Sequence, residues 1–353
     1  MIPMIMNSDF LVDFPGLGIQ DLPINRIAFR IFSLPVYWYG LLIAAAIILC
    51  MLLAMRKAPE FGLTADDIMD TFIAIIPLMI VFARLYYIAF EMEYYITDWK
   101  MIFDTRQGGL AFYGGVIGGA LAIWLVTRIK KLPVSRLLDF LVVYVPLGQA
   151  IGRWGNFFNQ EAFGSNTTLP WGMYSNQTEY YLQSIGGYDP ASPVHPTFFY
   201  EFVANLVIFA LLTRIRKTNK TPFAVTLWYL LMYGFIRFFV EGIRTDPLLV
   251  PGTDIRISQW LSALMVIGSI ILLIVLNQLR QKRELAAALA SDSAYVPPVA
   301  EDGETGDFVA IDDEPAVQEE AAGASAGEAK PEETAGPDSA PAEDSGKGPE
   351  EQA

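Results

Sequence analysis

The chain contains 353 residues, of which 53% are apolar and only 18% are charged, and its mean hydropathy is +0.37. Soluble domains average about 25% charged residues, so the composition argues against an ordinary soluble enzyme. The net charge of −14 belongs to one end of the chain: residues 1–290 carry 22 basic and 20 acidic side chains, whereas residues 291–353 carry 2 and 18. The overall acidity therefore says nothing about the partners of the first 290 residues.

Seven apolar runs follow one another along the chain, each near the length of about 20 residues that a helix needs to cross a bilayer. They are Val36–Met55, Ile68–Phe90, Leu110–Thr127, Leu137–Ile151, Phe198–Thr213, Phe223–Val240 and Ile257–Leu279. The sequence therefore predicts an all-α integral membrane protein with about seven transmembrane helices. We expect a lipid bilayer as its environment and no nucleic acid as a partner.

The spans divide the chain into regions. We expect an external N-terminal segment over residues 1–35 and a seven-helix membrane domain over residues 36–284. The long polar connection between the fourth and fifth spans, at about residues 156–196, is expected to form a small folded cap.

Basic residues cluster after the first, third, fifth and seventh spans. The clusters are Arg56 and Lys57; Arg128, Lys130, Lys131 and Arg136; Arg214, Arg216, Lys217 and Lys220; and Arg280, Lys282 and Arg283. Cytoplasmic loops of membrane proteins carry an excess of Lys and Arg, so these loops are predicted to face the cytoplasm. The N-terminus and the cap would then be external, and the C-terminus cytoplasmic.

The last region, residues 285–353, is predicted to be a disordered acidic cytoplasmic tail. From Ser291 onward it consists mainly of Ala, Glu, Asp, Gly, Pro and Ser. Such a segment buries too little apolar surface to offset the entropy of ordering it. The composition favours a solvated spacer over an interaction tail.

Two arginines lie within or at the edge of an apolar run, where a charged side chain is costly and is often functional. Arg153 ends the fourth span in a stretch rich in Asn, Gln and Gly, residues 151–164. Its guanidinium could bind a phosphate bidentately or could simply extend to the membrane surface, and the residues alone leave both open. Arg237 lies four residues before Glu241 on one helix face and could form a structural ion pair with it. Because an intramembrane arginine must face protein or water, Arg237 is also predicted to mark an interior cavity.

Other residues have a structural and a functional interpretation. Tyr113 precedes the glycine pairs of residues 114–119, whose four-residue spacing is typical of close helix packing. His195 is the single histidine of the chain, and a lone histidine is more often structural than catalytic. Tyr39 fits an interfacial aromatic residue. Cys50 lies in the first span and is interpreted as a small core residue.

Several familiar catalytic signatures are missing from the sequence. It contains no Walker loop, no metal-ligating cluster of His and Cys, and no Ser-His-Asp signature. We therefore expect no metal and no other cofactor. Any chemistry would use Arg, Glu, Asn, Tyr or His at a membrane surface.

The segment Gly152–Gly164 resembles the signature of the prolipoprotein diacylglyceryl transferase family. Further similarities occur in the same order as in that family: Tyr37–Gly40, Ala83–Leu85, Gly108–Gly115, His195–Thr197 and Arg237–Glu241. The resemblance covers roughly residues 20–280 and excludes the acidic tail.

This resemblance implies a multi-pass enzyme of the bacterial plasma membrane. Its members move the diacylglyceryl group of phosphatidylglycerol to the thiol of the lipobox cysteine in a lipoprotein precursor. The products are a thioether-linked lipid and glycerol phosphate, and no metal or nucleotide is needed. The family also has seven spans with an external N-terminus, in agreement with the charge pattern.

The resemblance also implies roles for individual residues. Arg153 and Arg237 would hold and neutralise the phosphate. Residues expected to bind substrate or shape its site are Tyr39, Arg84, Asn156, Asn159, Glu161 and Gly164. Tyr113 stands where well-studied members have histidine, and because a phenol is a weaker base than imidazole we assign it to hydrogen bonding at the catalytic site. The group that takes the thiol proton stays open between Glu241 and His195.

Two functions of other classes compete with this assignment. A lipid or small-anion transporter would also use intramembrane arginine and glycine-broken helices, but it should show internal repeats, and none is evident in the sequence. A scaffold that only displays the acidic tail would not require Arg237 within an apolar span.

Overall fold

The computed structural model describes residues 11–92, 95, 99–103, 108–247, 249, 252–253 and 256–293. Its helices are α1 (Trp38–Lys57), α2 (Ala65–Phe90), α3 (Phe112–Lys130), α4 (Val134–Leu141), α5 (Tyr144–Asn159), α6 (Asn176–Ile185), α7 (Thr197–Thr218), α8 (Ala224–Ile243) and α9 (Ile257–Ser293). Its strands are β1 (Leu11–Phe14), β2 (Ile19–Pro23), β3 (Ile27–Ile31), β4 (Leu34–Tyr37) and β5 (Tyr174–Ser175). Short 3-10 helices cover Pro15–Leu17, Ala58–Phe61 and Trp99–Phe103.

The prediction of about seven membrane-spanning helices is confirmed. Among the described residues, seven helical segments are long and apolar enough to cross a bilayer. The fourth consists of α4 and α5 in succession, Val134–Asn159. In the membrane core, a helix satisfies every backbone hydrogen bond within its own segment, which is why apolar length alone located these elements.

The helices pack in a sequence that differs from their order in the chain. Helix α3 packs on α2, α2 on α1, α1 on α5, α5 on α7, α7 on α8, and α8 on α9. A Cβ atom at Gly114 or Gly118 would overlap the backbone carbonyl oxygens of Phe82 and Leu78 on α2. The predicted close packing by glycine is therefore confirmed for these two positions, because no larger side chain fits between the two backbones.

The N-terminal segment is not helical, which adds strands to the predicted all-α fold. Strands β1 and β2 pair antiparallel, and β1 also pairs with β5, so the sheet has the order β2-β1-β5. Strands β3 and β4 form a hairpin that leads directly into α1. Short strands of this kind, partly exposed, carry too little alternation for a sequence pattern to reveal them.

The N-terminal sheet and the segment between α5 and α7 share one apolar core. Its buried residues are Val12, Ile24, Phe157, Phe163, Met173, Leu182, Val194 and Phe198. Because Val12 comes from β1 while Met173 and Leu182 come from the long connection, the cap is built from two distant parts of the chain. Helix α5 extends to Asn159, where Gln160 adopts a left-handed conformation and ends it, so the irregular part of this region begins at Gln160.

Six of the seven helical segments continue beyond the predicted ends of their spans, and two of these extensions correct an interpretation made from the sequence. Helix α7 runs to Thr218, so Arg216 is helical and buried rather than part of a cytoplasmic loop. Helix α9 runs to Ser293, so residues 285–293 are helical although the disordered tail was predicted to begin at 285. The Arg280–Glu284 ion pair at 2.7 Å and the alanine-rich sequence that follows favour this extension. The remainder of the predicted tail, residues 294–353, lies outside the described residues.

Candidate functional site

Four charged side chains meet inside the bundle beneath the cap. Helix α5 supplies Arg153, α7 supplies Glu201, and α8 supplies Arg237 and Glu241. Oε1 of Glu201 lies 2.7 Å from Nη2 of Arg153 and 3.2 Å from Nη1 of Arg237. Oε2 of Glu241 lies 2.6 Å from Nη2 of Arg237. One carboxylate oxygen thus holds two guanidinium groups side by side.

This four-charge cluster is largely removed from solvent. The side chains of Glu201 and Glu241 are each 2% exposed, and those of the two arginines are 18% exposed. Buried ions require compensating charges, because desolvation costs several kcal/mol for each ion. Two positive and two negative groups balance here, which explains how α5, α7 and α8 can carry them within apolar sequences.

The carboxylates retain capacity to accept hydrogen bonds. Oε2 of Glu201 is buried and has no hydrogen-bond partner among the described residues. Oε2 of Glu241 is close to Arg237 but is not aligned with it as a hydrogen bond. Each guanidinium has five N–H donors, more than these contacts use. The cluster can therefore offer both donors and acceptors to a ligand.

A polar chain leads from Arg153 into the cap. Nη1 of Arg153 donates to Oδ1 of Asn156 at 3.4 Å, and Nδ2 of Asn156 donates to Oε1 of Glu161 at 3.0 Å. Nδ2 of Asn159 donates to the same oxygen at 3.2 Å. Asn156 and Asn159 lie in the last turn of α5, and Glu161 follows it, so the end of this helix brings the three side chains together.

Tyr39 approaches this chain from α1. A Cβ atom at Gly155 would collide with the ring of Tyr39, which packs directly against the backbone of α5. Gly155 therefore gives Tyr39 its place beside the turn that carries Arg153 and Asn156. Tyr39 is 40% exposed, so it lies at the edge of the site.

Gly164 lies where the cap crosses the ends of α7 and α8. Its N–H donates to the carbonyl oxygen of His195 at 2.9 Å, and the N–H of Ser165 donates to that of Ile243 at 2.7 Å. A Cβ atom at Gly164 would lie 2.8 Å from Cβ of His195 and 3.0 Å from the Ile243 oxygen. Glycine is required here because the crossing strand leaves no room for a side chain.

His195 is held by two aromatic side chains. Its Nδ1 lies 3.1 Å from the hydroxyl of Tyr200, and that hydroxyl accepts a hydrogen bond of 2.9 Å from Nε1 of Trp171. Trp171 can only donate, so Tyr200 keeps its own proton; when that proton points at Nδ1, the neutral imidazole carries its proton on Nε2. Burial lowers the pKa of His195 below its usual value, so the ring is neutral at pH 7.

Arg84 and Tyr113 contact other parts of the bundle. The guanidinium of Arg84 donates to the carbonyl oxygens of Ile102, Gly108 and Gly109 at 2.9–3.1 Å and to that of Met101 at 2.5 Å. It therefore organises the connection that leads into α3. Tyr113, in the first turn of α3, packs near Tyr86 of α2, with ring centroids 6.4 Å apart and ring planes tilted by 48°. The observed contacts join both residues to the α2–α3 pair and not to the four-charge cluster.

Most of the membrane domain matches a known protein family. The family model for prolipoprotein diacylglyceryl transferase matches residues 26–275. The chain belongs to the prolipoprotein diacylglyceryl transferase family. The resemblance inferred from Gly152–Gly164 is thereby confirmed, and the match ends before the acidic tail.

Individual relatives agree over nearly their whole length. A protein named phosphatidylglycerol–prolipoprotein diacylglyceryl transferase from Clostridioides difficile is 39% identical over 254 residues, which are 72% of this chain and 96% of the relative. Proteins of the same name from Finegoldia magna and Enterococcus faecalis are 38% and 42% identical over 263 and 259 residues. These cover 74% and 71% of this chain, and 97% and 90% of the relatives.

Sequence reasoning missed two residues of this diacylglyceryl transferase that the structure brings to the site. Glu201 lies at the start of an apolar span, and an acidic residue at that depth is a signal that could have identified it. Arg256 donates to the backbone oxygens of Glu241 and Arg244, the latter at 3.2 Å. It thereby ties the start of α9 to the end of α8, and no sequence pattern pointed to this contact. Among the described residues, no group of three or more His, Cys, Asp or Glu side chains could hold a metal ion.

Proposed function

We propose that this protein transfers the diacylglyceryl group of phosphatidylglycerol to the thiol of the lipobox cysteine of a lipoprotein precursor. The sulfur forms a bond to the primary glyceryl carbon, the bond from that carbon to the phosphate oxygen breaks, and glycerol phosphate leaves with the electron pair. The thiol proton passes to a base. The observation that carries this proposal is the buried cluster of Arg153, Glu201, Arg237 and Glu241.

The two arginines supply what the leaving phosphate needs. Negative charge grows on the phosphate as the carbon–oxygen bond breaks, and preorganised donors in a buried site stabilise such charge most strongly. Glu201 fixes the two guanidinium groups beside each other, so their planar forks can address two phosphate oxygens. The hydrogen bonds of Arg153 and Arg237 would therefore strengthen as the reaction proceeds.

The two glutamates can accept hydrogen bonds from the glycerol end of the head group. Oε2 of Glu201 and Oε2 of Glu241 are buried acceptors without an aligned donor. The terminal hydroxyl groups of phosphatidylglycerol are donors that could satisfy them. Phosphatidylcholine has no donor in its head group and would leave them unsatisfied, which costs about 1–3 kcal/mol for each buried group.

Of the two groups considered for the thiol proton, the geometry favours Glu241. Nδ1 of His195 already contacts the Tyr200 hydroxyl, and with Tyr200 donating to it the neutral ring would present an N–H donor on its other nitrogen. Glu241 lies directly beside Arg237, where the leaving phosphate would bind. We assign His195 to orientation of substrate and Glu241 to acceptance of the proton.

We further propose that the N-terminus and the cap face outward and the C-terminus faces the cytoplasm. The basic residues after alternate spans support this orientation, and it places the four-charge cluster near the outer surface. A reporter fused after Leu279 should be cytoplasmic, and one inserted near Tyr188 should be external. An external reporter after Leu279 would contradict the orientation.

The direct test combines purified protein, a lipobox peptide and one phospholipid, with the peptide mass followed over time. Phosphatidylglycerol should add the diacylglyceryl mass, and phosphatidylcholine should not. Arg237→Gln should abolish the change, whereas Arg214→Gln, which alters an exposed arginine on α7, should not. A transporter would leave the peptide mass unchanged with every lipid, and that result would overturn the proposal.

A further inference from the structure

A polar pocket lies at the opposite end of the bundle from the four-charge cluster. Glu201 and Arg216 are 15 residues apart on α7, which places them about 22 Å apart along the helix axis. The pocket has a volume of about 410 Å³. Its lining includes Ser135, Arg136, Asp139, Arg216, Lys220 and Thr221. Nothing in the transferase reaction proposed above uses this region.

The base of this pocket is a buried arginine whose positive charge is not balanced by an ion pair among the described residues. Arg216 is only 8% exposed, and none of the ion pairs among the described residues includes it. Its guanidinium carbon lies 4.4 Å, 4.7 Å and 5.2 Å from the ring centroids of Phe61, Phe140 and Tyr144. Nη1 donates to the Phe140 carbonyl at 3.0 Å and Nη2 to the Tyr144 hydroxyl at 3.5 Å, whereas Nε is buried and has no acceptor among the described residues. The three aromatic rings hold the Arg216 guanidinium in place, and they leave some of its N–H groups without a hydrogen-bond acceptor.

The rim of the pocket adds positive charge. Arg136 and Lys220 line it and are exposed to solvent. The single carboxylate among the lining residues is Asp139, whose Oδ1 already accepts from N and Oγ1 of Thr226 at 2.9 Å and 2.6 Å. Glu60 lies nearby but pairs with Lys57 at 2.5 Å. Three cations therefore face one carboxylate, and the pocket carries a net positive charge.

We propose that this pocket binds a phosphate-bearing anion, with Arg216 as its buried anchor and Arg136 and Lys220 closing over the charge. Guanidinium groups match two phosphate oxygens, and the terminal N–H groups of Arg216 that Phe140 and Tyr144 do not use are the donors that such a ligand would engage. A volume of about 410 Å³ suits a phosphoglycerol-sized group. The ligand is either the head group of an anionic phospholipid in the adjacent leaflet or a free phosphate ester, and both offer the same chemistry.

A cysteine-protection experiment tests this binding without measuring transferase activity. Ser135→Cys places a thiol in the pocket of the full-length protein, while the native Cys50 is buried in the helix bundle. The protein is inserted into phosphatidylcholine nanodiscs, and the rate of alkylation by N-ethylmaleimide is measured. Glycerol phosphate added to solution tests the free anion, and phosphatidic acid added to the nanodisc tests the lipid head group.

Either ligand should slow alkylation about tenfold at a concentration ten times its dissociation constant, by mass action. Adding Arg136→Gln and Lys220→Gln should weaken protection about tenfold, because charge-assisted hydrogen bonds are lost. The matched control adds Arg56→Gln and Arg214→Gln, which remove two exposed arginines outside the pocket lining, and protection should persist. Absence of protection by both ligands, or equal loss of protection in both double variants, would overturn the proposal.

Discussion

Glu201 reaches Nη2 of Arg153 at 2.7 Å through the same carboxylate oxygen that contacts Arg237. The two arginines belong to different helices, α5 and α8, and the glutamate to a third, α7. A single oxygen therefore sets the separation of the two guanidinium groups that we assign to the phosphate. This relationship makes Glu201 as important to the site as the arginines themselves.

Glu201→Gln should reduce diacylglyceryl transfer by about 100-fold or more, because an amide cannot hold both guanidinium groups and leaves buried positive charge uncompensated. Transfer to a lipobox peptide, normalised to inserted protein, is the measurement. Glu60→Gln, which changes an exposed carboxylate that pairs with Lys57, should have little effect. A Glu201→Gln variant with near-normal turnover would show that the shared carboxylate is dispensable.

Arg153→Lys and Arg237→Lys should each lower transfer by about 10²–10³-fold, since lysine keeps the charge but loses the planar fork that matches two phosphate oxygens. The control is Arg214→Lys on the exposed side of α7. Arg216, although it follows soon after in the sequence, is buried among aromatic rings and would not be a silent control. If both lysine variants transfer at the normal rate, the phosphate assignment is wrong.

Tyr113→His should keep activity, because it restores the residue that well-studied family members have at this place, whereas Tyr113→Ala should lose it. The ring of Tyr113 packs near Tyr86, so the alanine variant removes both packing and a hydroxyl group. Phe112→Ala changes the adjacent aromatic residue, which is 68% exposed, and should have a small effect. Equal transfer rates for Tyr113→Ala and the unmodified protein would show that Tyr113 does not take part in the reaction.

Gly164→Ala should destabilise the protein by about 1–3 kcal/mol, because the new methyl group must displace the His195 side chain or the Ile243 carbonyl. Thermal unfolding in detergent provides the measurement, together with the transfer rate. Gly268→Ala is the matched control on α9, where an added Cβ atom would meet nothing within 4 Å. It should be neutral or should stabilise the helix by about 0.5–1 kcal/mol. Similar melting temperatures for the two variants would contradict the close crossing.

The stability of the protein should fall at acid pH partly through His195. Its pKa is lowered by burial in the folded state, so the unfolded chain binds the proton more readily once the pH drops below about 6.5. The stabilisation that comes from neutral His195 is fully present above about pH 6.5. It is lost as the pH falls from there through the lower pKa of the folded state. His195→Asn should therefore show a smaller loss of melting temperature between pH 7.5 and pH 5 than the unmodified protein. Identical losses would indicate that the imidazole titrates as freely when folded as when unfolded.

The amino-acid sequence alone was enough to predict the seven spans, the family and most of the charged residues of the site. Hydropathy succeeds because a membrane helix satisfies its backbone within one continuous segment, so the signal is local. Arg153 and Arg237 were identifiable for the same reason. A charged side chain in an apolar run can be recognised from the local sequence, without knowledge of its partner. The signature around Gly152–Gly164 is likewise a continuous stretch.

The sequence did not predict which of these residues contact one another, because those contacts depend on how the helices pack. In the folded protein, Arg153 and Arg237 both contact Glu201. Arg216 is buried among aromatic rings, and Arg84 donates to backbone carbonyl oxygens near α3. Strand β1 pairs with β5 and so forms part of the cap. Each of these facts depends on which helix faces pack together, and that choice is made by side-chain volumes and glycine contacts between distant segments. Local periodicity identifies a helix in a membrane, but it does not specify the neighbour that the helix contacts.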